Sequence, residues 1–322
     1  MRTKNGNKNI NVLVTGGAGF LGREVVKQLV EVDYQVRVAD FLKKPSKFPG
    51  NEYIKGDLTD PNVVKKSFKE VDYCIHLAAK TGGIRYYHKY PGTIIDRNNR
   101  LYSSIFEAAV KYKIKRIIYT SSSMVYGSTG EVPIRESDFG KYSCPASSYA
   151  FSKLIGEYYC RFFQEEFGLP YTICRLFNLY GPMPQDEIIF SHVIPDLAKK
   201  IISGQYPVEI LGDGNQRRCF THIEDAARGI ILAMESPKAK NEDFNLGSNH
   251  EIKILDLAEL IFKICYPQKK YKYVLKEGFK MDVKRQVPVL SKAKKILGWK
   301  PMKNFEEELS FIINGIKKDK SK

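Results

Sequence analysis

The chain has 322 residues, 43% of them hydrophobic and 27% charged, a composition that buries a sizeable core and excludes a disordered polymer. INVLV at residues 10–14 is too short for a signal-peptide core, and no later apolar run approaches the ~18 residues of a membrane span, so a cytoplasmic protein with no membrane contact is expected. The formal charge of +16 comes from lysines spread from end to end, with only KKDKSK as a dense run; this argues against nucleic acid and is compatible with a small anionic substrate.

In chain order, INVLVTG reads as a strand, LGREVVKQLVEV as an amphipathic helix, YQVRVAD as a second strand, DPNVVKKSFKEV as a helix and DYCIHLAA as a further strand. NNRLYSSIFEAAVKY is helical and IKRIIYTSSS is a strand. YAFSKLIGEYYCRFFQEEFG is a helix stopped by Gly168 and Pro170, and YTICRLFNLYGP is again a strand. This alternation is that of βαβ units, so an α/β fold with a doubly wound, Rossmann-type parallel sheet is expected over residues 1–182. Beyond it the alternation weakens. SHVIPDLAKKIISG, EDAARGIILAMES and KILDLAELIFKIC read as helices, with VEILGD and FNLGS as short strands. Residues 183–322 are therefore expected to form mainly a smaller, mixed α/β substrate domain, some of whose strands return to the first. The six cysteines show no CxxC or Cys/His spacing, so neither a disulfide framework nor a metal site is expected.

TGGAGFLG places Gly16, Gly19 and Gly22 between a strand and a helix. There the first glycine permits a tight turn, the next lets backbone approach a pyrophosphate, and the last allows close helix-to-strand packing. Asp40 ends the second strand, 18 positions beyond Gly22, where a carboxylate accepts from an adenosine ribose and repels a 2′-phosphate, favouring NAD over NADP. Lys43 and Lys44 follow closely and could admit some NADP. Asp57 and Leu58 of GDLTD, after the third strand, are placed to flank the adenine.

SSYAFSK sets Lys153 four residues after Tyr149, so the two side chains share one helical face. A free phenol, with a pKa of about 10, is a poor base at neutral pH, but a neighbouring cation and an oxidised nicotinamide both favour its phenolate. The pair can then take a hydroxyl proton while hydride leaves for NAD. The preceding strand ends in Ser121, Ser122 and Ser123, any of which offers a hydroxyl to the reacting oxygen.

TGGAGFLG, HLAA, YTSSSMVYG, YAFSK, RLFNLYGP, GDGNQRRCF and LGWKP fall in the order seen in the extended short-chain dehydrogenase/reductase family of nucleotide-sugar epimerases, dehydratases and reductases, which the chain resembles from residue 10 to about 305. The resemblance implies oxidation of a sugar hydroxyl, commonly at C4, and a homodimer packed through the helices around residues 98–112 and 149–167. By motif position it makes Tyr149 and Lys153 the catalytic pair and Ser122 their hydroxyl partner, with Ser123 beside the sugar. It sets Phe20, Leu21, Leu77, Ala78, Ala79 and Asn98 at the cofactor, Asn178 at the sugar or diphosphate, and Arg218 and Arg285 on the diphosphate.

Subfamily chemistry turns on the residue two before Tyr126. The 4,6-dehydratases place a glutamate there, and the GDP-L-fucose synthases and GDP-mannose 3,5-epimerases a cysteine. This chain has Met124, a thioether that is neither acid nor base. HLAAKTGGI, Asn98 and the SHVIP that holds His192 nevertheless resemble GDP-L-fucose synthase, and Gly82 and Gly83 of that loop are expected over the sugar, with His192 beside it. The reading that needs only Ser122, Tyr149, Lys153 and NAD is C4 oxidation of a nucleotide sugar, GDP-linked in preference to UDP-linked, ending in 4-epimerisation or release of the 4-keto sugar. A 3,5-epimerase, reductase or dehydratase with another base, and a catalytically silent NAD-binding protein, are the alternatives.

Overall fold

The computed structural model describes residues 9–82, 84–127, 133–182, 193–278 and 284–320. Gly83 and His192 lie outside the described residues. The strands are β1 (Asn11–Thr15), β2 (Gln35–Asp40), β3 (Glu52–Lys55), β4 (Tyr73–His76), β5 (Arg116–Ser122), β6 (Tyr171–Leu176), β7 (Leu179–Tyr180), β8 (Val208–Leu211), β9 (Arg217–Cys219), β10 (Thr221–His222), β11 (Glu242–Leu246), β12 (Glu251–Lys253) and β13 (Tyr273–Lys276). The helices are α1 (Phe20–Glu31), α2 (Pro61–Phe68), α3 (Ile84–Lys89), α4 (Pro91–Lys111), α5 (Ser148–Phe167), α6 (Val193–Ile202), α7 (Ile223–Glu235), α8 (Ile254–Cys265), α9 (Ser291–Leu297) and α10 (Phe305–Lys320).

Strands such as RIIYTSS, buried at all seven positions, have no solvent face and belong in the middle of a parallel sheet covered on both sides. Seven strands pair in the order β11-β6-β5-β4-β1-β2-β3, every neighbour parallel. The pleat divides their side chains. Val12, Val14, Val36, Val38, Ile75 and Ile118 face α1, α7 and α9, whereas Leu13, Ala39, Cys74 and Ile117 face α2, α4 and α5. The helices carry matching stripes: α1 buries Gly22, Val25, Val26 and Leu29, a one-sided spacing. Helix α5 begins on the Ser147 hydroxyl, which accepts the Ala150 N–H at 3.2 Å, and ends at Gly168 with φ of 68°, as the sequence predicts.

The chain beyond residue 182 contributes to both parts of the molecule. Helices α7 and α9 and strand β11 complete the large sheet, while α6, α8 and α10 with β8 enclose a second core around Leu197, Ile210, Leu257 and Leu309. The paired strands β8 and β13, β9 and β12, and β7 and β10 line the junction. No helix among the described residues is long and apolar enough to cross a membrane.

Candidate active site

The strand order reverses direction between β1 and β4, and in an open parallel sheet ligands bind outside the carboxyl ends at such a point. A cavity of about 1010 Å³ opens there, walled on its far side by α6, β8 and Arg218. Gly16 follows β1 with φ of +72°, and a Cβ on it would lie 2.8 Å from the Ala78 nitrogen. A Cβ on Gly22 would lie 2.2 Å from the Gly16 carbonyl oxygen, so α1 sits directly on the turn. Gly19, the N-cap of α1, meets only the Gly16 oxygen at 3.3 Å, and the space beyond is cavity. A bare helix N-terminus facing a glycine-walled space fits a pyrophosphate.

Phe20, Leu21, Leu77, Ala78 and Ala79 all line this cavity, as expected. Asp40 lines it too, 4% exposed, its two oxygens accepting the Ala18 and Leu42 N–H groups, each at 3.0 Å. It therefore braces the glycine loop, and each oxygen retains a lone pair for a ribose hydroxyl. Asp57 holds Thr59 through N–H and hydroxyl at 2.9 Å each, with Leu58 buried beside it. Asn98 departs from expectation. It is fully buried and off the cavity wall, its amide spanning the Lys80 N–H (2.6 Å), the Lys80 carbonyl (3.2 Å) and Ser152 Oγ (2.9 Å). It thus shapes the loop after β4 from behind the cavity wall.

The three serines separate. Ser121 donates to Glu157 at 2.6 Å and turns inward. The Ser122 hydroxyl accepts the Met124 N–H at 3.2 Å and bonds toward the Tyr149 phenol, and the Ser123 carbonyl receives the buried Gln286 amide at 3.1 Å. Tyr149 is enclosed, with the Tyr87 ring stacked on it at 4.8 Å between centroids and 3° between planes. Thr81 Oγ1 lies 3.1 Å from the Tyr87 hydroxyl and also bonds toward Tyr149.

Burial, followed by the neighbouring Tyr87 and Tyr102, pushes the Tyr149 phenol well above its ordinary value, and the Ser122 and Thr81 hydroxyls only partly oppose this. Lys153 is 4% exposed and donates to the Thr120 carbonyl at 2.7 Å, its ammonium 5.2 Å from the Tyr119 ring centre. Burial lowers it to about 8, against the opposing charge of Glu157. The expected activation of Tyr149 by Lys153 is thus outweighed by desolvation in the protein alone, because the lysine points at a carbonyl and the phenol is packed under the Tyr87 ring.

On the substrate side, Gly82, Asn178 and Arg218 line the cavity; Asn178 donates to the Cys219 carbonyl at 3.1 Å. Arg285 does not line it. Its guanidinium is held bidentate by Glu251 of β12, at 2.6 and 2.9 Å, and the adjoining Gln286 reaches the wall instead. Thr81 lies within HLAAKTGGI with no role expected of it there, and Tyr87 and Gln286 belong to no motif, so only packing reveals them. Tyr87→Ala, which removes the stacked ring, is expected to lower kcat about tenfold at most, with Tyr87→Phe close to wild type, as steady-state kinetics on the two variants would check.

A glycine cradle at the switch point, with a serine, tyrosine and lysine gathered at the next strand end, defines a dinucleotide-dependent oxidoreductase site. Residues 12–247 match the NAD dependent epimerase/dehydratase family, and the chain belongs to that family. It is 33% identical over 312 residues to a putative UDP-glucose 4-epimerase of Methanocaldococcus jannaschii, covering 95% of this chain and 98% of the relative. It is 32% identical over 317 residues to the UDP-N-acetyl-alpha-D-glucosaminuronate decarboxylase of Bacillus cytotoxicus, covering 94% and 96%. The crystal structure of the Thermotoga maritima UDP-glucose 4-epimerase with UDP-glucose superimposes with a TM-score of 0.84 at 31% identity, covering 96% of this chain and 99% of that one. The protein is an NAD-dependent enzyme of nucleotide sugars. The sequence preference for a GDP-linked sugar has no counterpart among these three, each named for a UDP-sugar.

Proposed function

We propose that the protein is a nucleotide-sugar 4-epimerase acting on a UDP-linked hexose. The observation that supports this reading most is the make-up of the wall around Tyr149. Among the described residues, Ser122, Ser123, Met124, Thr81 and Gln286 supply hydroxyls, a thioether and an amide beside the stacked Tyr87 phenol and Lys153, with no carboxylate on this wall. The cavity's carboxylates among the described residues are Asp40, Asp57, Asp196 and Glu209. Asp40 ends β2, three strands and about 14 Å from β5. Asp196 is paired with Lys200 at 2.8 Å and Glu209 faces Lys276 at 3.6 Å.

NAD, when bound, supplies the hydride acceptor and a positive ring beside the phenol. Tyr149 takes the proton of the C4 hydroxyl, and Ser122 holds that oxygen in line. Lys153, fixed on the Thr120 carbonyl, keeps a positive charge below the phenol and favours its ionised form. Turning of the keto sugar and return of hydride to its other face then completes the inversion, with Tyr149 giving back its proton. Arg218 and Asn178 line the far part of the cavity, which supports a role for them in holding the diphosphate. The open aromatic face of α5, with Phe151, Tyr158 and Phe162 at 39, 41 and 57% exposure, supports pairing of two copies through α4 and α5.

The test is incubation in deuterated water with UDP-glucose, UDP-N-acetylglucosamine, UDP-glucuronate and GDP-mannose, read by mass and NMR. A deuterium-free product isomeric with a UDP-sugar is expected. Deuterium at C3 or C5, or loss of water or carbon dioxide, overturns the epimerase reading, because pure C4 hydride chemistry touches none of those bonds.

A further inference from the structure

Beneath the reacting groups lies a polar cluster that the chemistry above does not use. Arg175 on β6 and Glu157 on α5 are both fully buried. Arg175 donates through Nε and Nη2 to the two Glu157 oxygens at 2.8 and 2.7 Å, and through Nη1 to the Tyr126 hydroxyl at 2.9 Å. Its Nη2 also lies 2.8 Å from Asp243. The first Glu157 oxygen accepts, in addition, the Ser121 hydroxyl at 2.6 Å. A buried ion pair gains little stability over apolar side chains of the same volume, because desolvation offsets its attraction. Its position explains it better than stability does.

We propose that Glu157 and Arg175 are positioning residues for the reaction: the pair anchors Ser121 so that its neighbour Ser122 is presented to Tyr149, and it stations a carboxylate one helical turn below Lys153 that keeps this lysine an ammonium. The strand carries the first half of the argument. Tying Ser121 to α5 fixes the carboxyl end of β5 and with it the adjoining Ser122, whose hydroxyl accepts the Met124 N–H at 3.2 Å on the cavity wall that also carries Tyr149. The surroundings of Lys153 carry the second. Tyr149 and Glu157 approach it from α5, the Thr120 carbonyl and the Tyr119 ring from β5, and His76 from β4. His76 is driven to about 3 by burial and by the lysine's charge, so it is neutral. Among these groups Glu157 alone brings a negative charge, and it opposes the burial that draws Lys153 down.

This inference rests on the oxidoreductase reading of the site, and its test is built to fail separately. The protein is labelled with lysine carrying 13C at Cε, and the Lys153 signal is identified by its loss in Lys153→Met. In the wild type that signal is expected to titrate near pH 8. Glu157→Gln keeps the acceptor for Ser121 but removes the charge; the midpoint is expected to fall by about one pH unit, and the alkaline limb of kcat to move the same way. If Glu157→Gln does not fold, Glu157→Gln/Arg175→Met removes both buried charges together and takes its place. An unchanged midpoint overturns the proposal even where activity is lost, since a purely structural role would leave the titration where it is. A lowered midpoint with an unmoved alkaline limb overturns it too. Should no nucleotide sugar turn over on the wild type, the proposed function fails while the titration still decides the role of the pair.

Discussion

Tyr149→Phe should cost about 10²- to 10⁴-fold in kcat while leaving NAD affinity within about twofold of wild type. The substitution removes one oxygen and retains the ring that stacks against Tyr87 at 4.8 Å, so the pocket keeps its shape. What disappears is the phenol that takes the hydroxyl proton, which the neighbouring Ser122 and Thr81, as alcohols, and Met124, as a thioether, do not replace. Because burial holds the phenol well above its ordinary value, the proton returns readily once the positive ring has been reduced. Single-turnover reduction of bound NAD by a nucleotide sugar, followed at 340 nm, separates the chemical step from binding. A variant that reduces NAD at the wild-type rate would falsify the assignment of Tyr149 as the base.

Two glycines of one loop should fail in different ways. Gly22→Ala sets a methyl 2.2 Å from the Gly16 oxygen and 2.6 Å from the Gly17 Cα, both backbone atoms that cannot rotate away. Helix α1 must then lift from β1, loosening Val25, Val26 and Leu29 in the core and costing about 1–3 kcal/mol. Both the melting temperature and NAD binding are expected to fall. Gly19→Ala meets one backbone oxygen at 3.3 Å and otherwise projects into the cavity. It should melt within about 2 °C of wild type yet bind NAD at least about tenfold more weakly, because the methyl occupies the pyrophosphate's approach. Calorimetry on the two variants, with and without NAD, decides it; loss of stability in Gly19→Ala, or normal NAD binding in Gly22→Ala, would remove the distinction.

Strands β1, β2, β4, β5 and β6 were legible because each is a short, largely buried apolar run, separated by helices with one apolar stripe and explicit stops such as Gly168. The glycine loop and the Tyr149–Lys153 spacing were legible for a similar reason, since both depend on residues close in sequence. Long-range competition was not. Arg285 reads as a diphosphate ligand until Glu251, 34 residues earlier, takes its guanidinium, and Asn98 reads as a cofactor contact until its amide is spent on Lys80 and Ser152. How strongly burial opposes Lys153 at Tyr149 was not legible, because spacing along a helix says nothing of what packs against the phenol. Tyr87 and Gln286 reach the site only through the packing of α3 and of the segment after β13.

The return of β11 to the edge of the large sheet also dictates an order of events as the chain is made. Strand β6 ends at Leu176 and its outer neighbour begins only at Glu242, after β7–β10, α6 and α7 have been synthesised. Until then the buried Thr172, Cys174 and Arg175 of β6 have one unpaired edge, and Arg175 lacks Asp243. An emerging ribosomal chain therefore cannot finish the large sheet first and add the second core afterwards. The two mature together, so the buried charge beneath the catalytic lysine is fully partnered only when most of the polypeptide has left the ribosome.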